Sequence, residues 1–235
     1  MSKKSGFVFD KDGICIKKYN GFDLRVNIPT KVKEIGMLAF FECEFLEFVY
    51  IHKNIELIGS LCFPNVSSYP NFSRLSLFCE HESKPKSWDD KWCNELSDIH
   101  WNCRKNKNYI YSIQNEEITI LKYLGSEEEV RVPDFIDGKP VRIIGTFAFR
   151  TDCSKRVILP DTIKLIEEYA FFDFIRINRS YENESIYHNV MRFAHRIESV
   201  SVPNLSVKIQ IGELECDSVF NRPLCGIEIL YRTID

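Results

Sequence analysis

The feature that most constrains this chain is that it repeats itself. The segment Ile28-Pro29-Thr30-Lys31-Val32-Lys33-Glu34-Ile35-Gly36-Met37-Leu38-Ala39-Phe40 returns 23 residues later, beginning Ile51-His52-Lys53-Asn54. Val32, Ile35, Gly36, Ala39 and Phe40 map onto Ile55, Ile58, Gly59, Cys62 and Phe63. In the second half Val141, Ile144, Gly145, Ala148 and Phe149 recur 22 residues on as Ile163, Ile166, Glu167, Ala170 and Phe171. The halves also match each other. Ile14, Ile16, Tyr19, Gly21, Val26 and Pro29 reappear 104 residues later as Ile118, Ile120, Tyr123, Gly125, Val130 and Pro133. Ile136-Asp137-Gly138-Lys139-Pro140 then shifts the register by five. Such a period belongs to architectures of stacked single coils, in which one repeat cannot bury its own apolar face and its neighbours must do so.

Residue types indicate what each coil contains. Phe48-Val49-Tyr50-Ile51, Val130-Arg131-Val132 and Val157-Ile158-Leu159 are short β-branched or aromatic runs ending at His or Pro. They suit strands that pair in parallel with the next coil. Pro29, Pro133, Pro160 and Pro203 close strands, because a proline cannot extend the ladder as a donor. Ile-Gly-x-x-Ala-Phe is then expected to turn the chain, with glycine as the permissive backbone and alanine fitting under the Phe.

The pattern Ile-Pro-x-x-Val-x-x-Ile-Gly-x-x-Ala-Phe-x-x-Cys-x-x-Leu, from Ile28 through Cys43 to Leu46, resembles the BspA-like leucine-rich-repeat family. So does the entry from Ile118 to Val141. Leu77-Phe78-Cys79-Glu80, then Trp88-Asp89-Asp90-Lys91-Trp92 and His100-Trp101, is similar to a finishing segment of that family. The resemblance spans most of residues 7–175. It implies a mainly β, right-handed solenoid with parallel strands and short helical turns, used for protein binding, with many members displayed on cell surfaces as adhesins.

Two halves are expected, 1–105 ending in the Cys/Trp-rich segment and 106–235. The second half carries an insertion, 176–199, and a degenerate C-terminal cap around Val202-Pro203. Within the insertion Ile186, Val190, Phe193 or Ala194, and Ile197 recur at 3–4 residue steps, which predicts an amphipathic helix over 183–197. Tyr187, His188, Arg192, His195 and Arg196 lie mostly off that stripe and are candidate partner-binding residues. Tyr50, His52, Arg131 and Arg156, at strand ends, are candidates for a surface shared between coils.

Composition excludes several function classes. The formal net charge is −3, so no overall field attracts nucleic acid or an anionic membrane. No 18-residue apolar run predicts a transmembrane helix. Lys3-Lys4 is followed by only three apolar residues before Asp10, without the apolar core of a signal peptide, which leads to an expected cytoplasmic location. Nine cysteines without framework spacing then read as reduced core thiols, although five Asn-x-Ser sequons (Asn65, Asn71, Asn178, Asn183, Asn204) point the other way.

Cys79, His81, Cys93, His100 and Cys103 form the one candidate zinc set, and they lack the paired spacing of a zinc site. Trp88, Trp92 and Trp101 are expected to plug the seam between the halves. Phosphate loops, His-Glu-x-x-His and nucleophile-elbow motifs are missing from the sequence. The expected function is a non-catalytic protein–protein interaction scaffold with no metal or cofactor, and with self-association through an open solenoid end as a further option. The alternatives are an exported surface adhesin and, behind it, a Cys/His metal-dependent or hydrolase-like enzyme.

Overall fold

The computed structural model describes residues 6–43, 46–63, 75–95, 97–149, 156–167 and 170–171, together with the backbone of 199–202, 208–209 and 228–231. The chain divides into two compact units, Met1–Cys103 and Arg104–Asp235. The described residues contain no α-helix. The predicted helix over 183–197 and the rest of the insertion lie outside the described residues.

Unit 1 begins with a hairpin of β1 (Phe7–Phe9) and β2 (Cys15–Tyr19). It continues through β3 (Arg25–Asn27), β4 (Glu34–Ile35), β5 (Phe48–Ile51), β6 (Leu57–Ile58), β7 (Ser76–Cys79) and β8 (Asp98–His100). Two four-stranded sheets result, ordered β1-β2-β4-β6 and β3-β5-β7-β8, and every pair after the hairpin is parallel. Each coil therefore gives one strand to each sheet. This is a β-solenoid.

The second unit repeats the plan. β9 (Cys103–Lys105) lies beside a hairpin of β10 (Tyr109–Gln114) and β11 (Glu117–Tyr123). There follow β12 (Glu129–Arg131), β13 (Phe135–Ile136), β14 (Lys139–Ile144), β15 (Arg156–Ile158), β16 (Leu165–Ile166), β17 (Ser199–Val202), β18 (Lys208–Ile209) and β19 (Glu228–Tyr231). Parallel ladders run β11-β14-β16-β18 and β12-β15-β17-β19. The register-shifting insertion is a small hairpin. Ile136 pairs with Lys139 across Asp137-Gly138, whose φ values of 51° and 73° make the primed two-residue turn that Asp-Gly favours.

The repeated apolar residues form columns through the coils. Ile16 pairs with Ile35 and Ile35 with Ile58; Val26, Val49, Leu77 and Ile99 align in the other sheet. In unit 2, Ile120-Ile144-Ile166 and Val130-Val157 do the same. Nearly all are buried, and each contributes roughly 1.5–3 kcal/mol on burial. A second ladder is aromatic. The rings of Tyr19, Phe40 and Phe63 follow one another at 5.4 Å, as do those of Tyr123, Phe149 and Phe171. Ala39 and Cys62, which precede the Phe, are buried, and their carbonyls take the amide of the aromatic in the preceding coil, Tyr19 N donating to Ala39 O at 2.8 Å and Phe40 N to Cys62 O at 2.8 Å.

One sequence expectation needs correcting. Gly36, Gly59 and Gly145 do not have positive φ. Gly59 is needed for space: a Cβ there would lie 2.5 Å from Met37 N. The left-handed conformation falls two residues later, on Leu38, Leu61 and Phe147.

Candidate functional site

Neighbouring residues of a strand face opposite sides. Beside the inward column Val26-Val49-Leu77-Ile99, the outward registers of unit 1 are therefore Arg25-Phe48-Ser76-Asp98 and Asn27-Tyr50-Phe78-His100. The aromatics among them are held against each other. Phe48 and Phe78 meet edge-on at 5.8 Å, His100 stacks on Phe78 at 4.9 Å, and the Arg25 guanidinium lies 5.8 Å from the Phe48 ring. In unit 2 the corresponding registers pair Glu129 with Arg156 and Arg131 with Ile158.

The candidate residues divide accordingly. Tyr50 is buried and its hydroxyl donates to Glu80 Oε1 at 2.6 Å. His52 stands where Pro29 stands one coil earlier; it is buried, and its Nε2 lies 3.1 Å from the Pro29 carbonyl oxygen. Both side chains thus link coils within unit 1. Arg131 and Arg156 are exposed and brought together, because both bind Glu129, at 2.8 and 2.9 Å. That carboxyl is held below its ordinary range, chiefly by the Arg156 hydrogen bond. Tyr187, His188, Arg192, His195 and Arg196 lie outside the described residues.

The Cys/His segment is engaged internally. Among the described residues no group of three or more His, Cys, Asp or Glu side chains is placed to hold a metal ion. Cys103 Sγ donates to the His100 carbonyl at 3.4 Å, while the His100 imidazole faces Asp98 at 3.0 Å. Burial pushes the Cys103 thiol up to about 12 and that of Cys93 up to about 11, keeping both protonated, the reverse of an activated nucleophile. Cys15, Cys43, Cys62, Cys79, Cys93 and Cys103 are all free thiols.

Trp88 and Trp92 are buried within the cluster of unit 1, with Trp101 packed against it. Their rings lie 4.9–6.0 Å apart, and Trp92 meets Phe63 edge-on at 5.9 Å. They continue the aromatic ladder of unit 1 past its last Phe. Trp88 also lines a groove of about 400 Å³ with Leu57, Gly59, Ser87 and Asp90. Leu57 of that groove is exposed, as are Met37, Leu38, Phe41 and Leu61 of the same coils, which the sequence reading missed. The available signal was the second x of Ile-Gly-x-x-Ala-Phe, which is Leu, Leu and Phe in three coils. Among the described residues no helix is long and apolar enough to cross a membrane.

Comparison with a family model agrees with the repeat. The sequence matches the BspA type leucine rich repeat region in six copies, over residues 20–79 and 132–221. No curated protein matches it. Among solved structures it is similar to a leucine rich cell surface protein from Faecalibacterium prausnitzii, at 14% identity and TM-score 0.30, covering 100% of this chain and 95% of that one. It is also similar to the pneumococcal vaccine antigen PcpA, at 14% identity and TM-score 0.31, covering 89% of this chain and 62% of that one. With the repeat matched over more than half its length and its coils laid out as two parallel ladders, the chain belongs to the BspA-type leucine-rich-repeat family.

Proposed function

We propose that the chain is a non-catalytic protein-interaction module that recognises a protein partner through the outward registers of its coils. The observation that carries this is a contrast between faces. Inward columns keep Val, Ile or Leu from coil to coil, whereas the outward ones run Arg, Phe, Ser, Asp in unit 1 and Glu, Arg in unit 2. Packing explains the first set and, in the second, the buried Phe48, Tyr50 and Phe78; the exposed positions, Arg131 and Arg156 among them, are open to selection for binding, as in extended solenoid surfaces. The exposed Arg131–Glu129–Arg156 group is the part best placed to meet a partner, since arginine is favoured at interfaces and exposed ion pairs add little to stability. Buried, protonated thiols support a non-catalytic role and a reducing, cytoplasmic setting.

Affinity capture from native lysate with the full chain tests this reading. Arg131→Glu with Arg156→Glu should lose the captured partner while keeping the far-ultraviolet circular dichroism of wild type. Retention of the same partner would remove this surface. Fractionation of the native cell addresses the setting, and surface-exposed protein would favour the adhesin reading instead.

A further inference from the structure

Asn20 is the one asparagine in the sequence followed by glycine. Unit 1 enters its first coil through Tyr19-Asn20-Gly21, and unit 2 through Tyr123-Leu124-Gly125. The backbone does the same in both, Asn20 N donating to Gly6 O at 2.8 Å and Leu124 N to Asn108 O at 2.7 Å. The geometry of this entry therefore does not call for an amide side chain, since leucine serves it equally in the second copy.

What the amide brings is reactivity. Asn20 is exposed and lies just past the end of β2, outside any strand. Among the described residues neither its carboxamide nor the backbone nitrogen of Gly21 makes a hydrogen bond. Gly21 has no Cβ to shield that nitrogen, and its backbone turns freely toward the neighbouring side chain. An unengaged carboxamide carbon and an unengaged backbone nitrogen one residue on are the two reactants of succinimide formation. Other sites lack one or the other. Asn27 and Asn54 precede isoleucine, whose branched side chain crowds the nitrogen, and Asn54 Nδ2 also donates to Thr30 O at 3.2 Å. Asn106 Oδ1 accepts from the amides of Asn108 and Tyr109 at 2.9 and 2.8 Å. In the two Asp-Gly pairs, Gly13 N donates to Asp10 O at 3.3 Å, and the Asp137 carboxylate accepts from the Tyr111 hydroxyl.

We propose that Asn20-Gly21 is a site of spontaneous covalent modification in the folded protein, at which asparagine converts to aspartate and isoaspartate as the molecule ages. Gly21 N bonds to Asn20 Cγ and gives up its proton, the Cγ–Nδ2 bond breaks, and ammonia leaves carrying that proton. Water then opens the ring. Breaking the bond from nitrogen to Cγ leaves aspartate; breaking the bond from nitrogen to the Asn20 carbonyl carbon leaves isoaspartate, whose main chain runs through the former side chain. One water enters, one ammonia leaves, and nothing is oxidised or reduced. The isoaspartate product lengthens the main chain by one carbon at a place without slack. The Tyr19 phenol fills the space beside the Gly21 Cα on its way to Asp23, and Gly6 backs onto Gly21 so closely that a Cβ on Gly6 would lie 2.8 Å from Gly21 N. The extra carbon moves Gly21 off both contacts and loosens the β1–β2 hairpin from the first coil.

Peptide mapping by mass spectrometry tests this on the full chain, incubated at pH 8 in native buffer and, in parallel, in urea. In native buffer residue 20 should exchange ammonia for water about tenfold or more faster than Asn27, Asn54 or Asn106, and within a few-fold of its rate in urea. Asn20→Leu, which installs the residue of unit 2, should abolish the product and keep the wild-type melting temperature. The isoaspartate form, separated by chromatography, should melt several degrees below fresh protein, whereas Asn20→Asp should melt with it, because a charge alone leaves the main chain its length. Conversion of residue 20 in urea but not in native buffer would overturn the proposal, since the fold would then hold the two reactants apart. Conversion of Asn27, Asn54 or Asn106 as fast as Asn20 would overturn it as well, and an isoaspartate form that melts with fresh protein would remove the loosened hairpin.

Discussion

Each unit opens on a tyrosine that folds back over a glycine. Tyr19 donates its hydroxyl to Asp23 and Tyr123 donates to Glu127. The phenol crosses the space where Gly21 or Gly125 would carry a Cβ. Burial and the carboxylate bond together raise the Tyr19 hydroxyl well above its ordinary range. Gly21→Ala and Gly125→Ala should each displace the ring and break the bond to the acid, costing roughly 1–3 kcal/mol in urea denaturation. A loss within a few tenths of a kcal/mol would mean that the ring has room to move. Tyrosine and glycine were legible as coincidences at the 104-residue offset. Asp23 and Glu127 sit at that same offset but differ in type, so only the shared hydrogen bond reveals them as the third member of the motif.

At the scale of the element, unit 1 finishes its first sheet with a segment that imitates a coil. Asp89 N donates to Ile58 O at 2.9 Å, as Gly59 N does to Ile35 O and Gly36 N to Ile16 O, both at 2.8 Å. Trp92 O then accepts from Cys62 N at 3.0 Å. Sequence reading found the tryptophans and assigned them to a seam. Their role was hidden because Asp replaces Gly and Trp replaces the small residue, so the backbone keeps the first of these bonds, shifts the second by one donor from Phe63 to Cys62, and the letters lose both.

His81 packs edge-on against Trp88 at 4.9 Å, near His52, Glu80 and the Ile55 carbonyl, and its Nδ1 is buried without a hydrogen bond. Burial lowers its pKa below the ordinary 6.5. The unfolded chain therefore takes up the proton more readily than the folded one. This contribution to stability is complete above about pH 6.5 and is lost as the pH falls through the range below it. Urea midpoints of the wild type should decline from pH 7 to pH 5. His81→Gln keeps an amide donor for Ile55 and should flatten that slope; an equally steep slope in the variant would locate the titration elsewhere.

Over the whole molecule, two hydrophobic clusters are built from the same register of residues, one reaching from Ile16 to Trp92 and one from Tyr109 to Phe171. Duplication was readable because packing restricts the inward columns to a few residue types, so Ile16-Ile35-Ile58 and Ile120-Ile144-Ile166 resist drift. The outward registers are less uniform, so the aromatic stack of Phe48, Phe78 and His100 could not be read as a group before the register was known, whereas Arg131 and Arg156 were legible as strand-end charges of a shared surface and the register added only Glu129 between them. Nearest-neighbour stacking gives the two clusters a measurable signature. In a solenoid, removing one ring of the ladder acts first on the coils that touch it. Phe63 stacks on Phe40 and meets Trp92; Phe149 stacks on Tyr123 and packs against Phe171. Phe63→Ala and Phe149→Ala should each cost about 3–5 kcal/mol locally. Native-state hydrogen exchange separates them: Phe63→Ala should speed exchange at the amides of β4 to β7, and Phe149→Ala at those of β11 to β16. If either variant accelerates exchange equally in both units, the chain unfolds as one cooperative body and the two clusters are a feature of geometry alone.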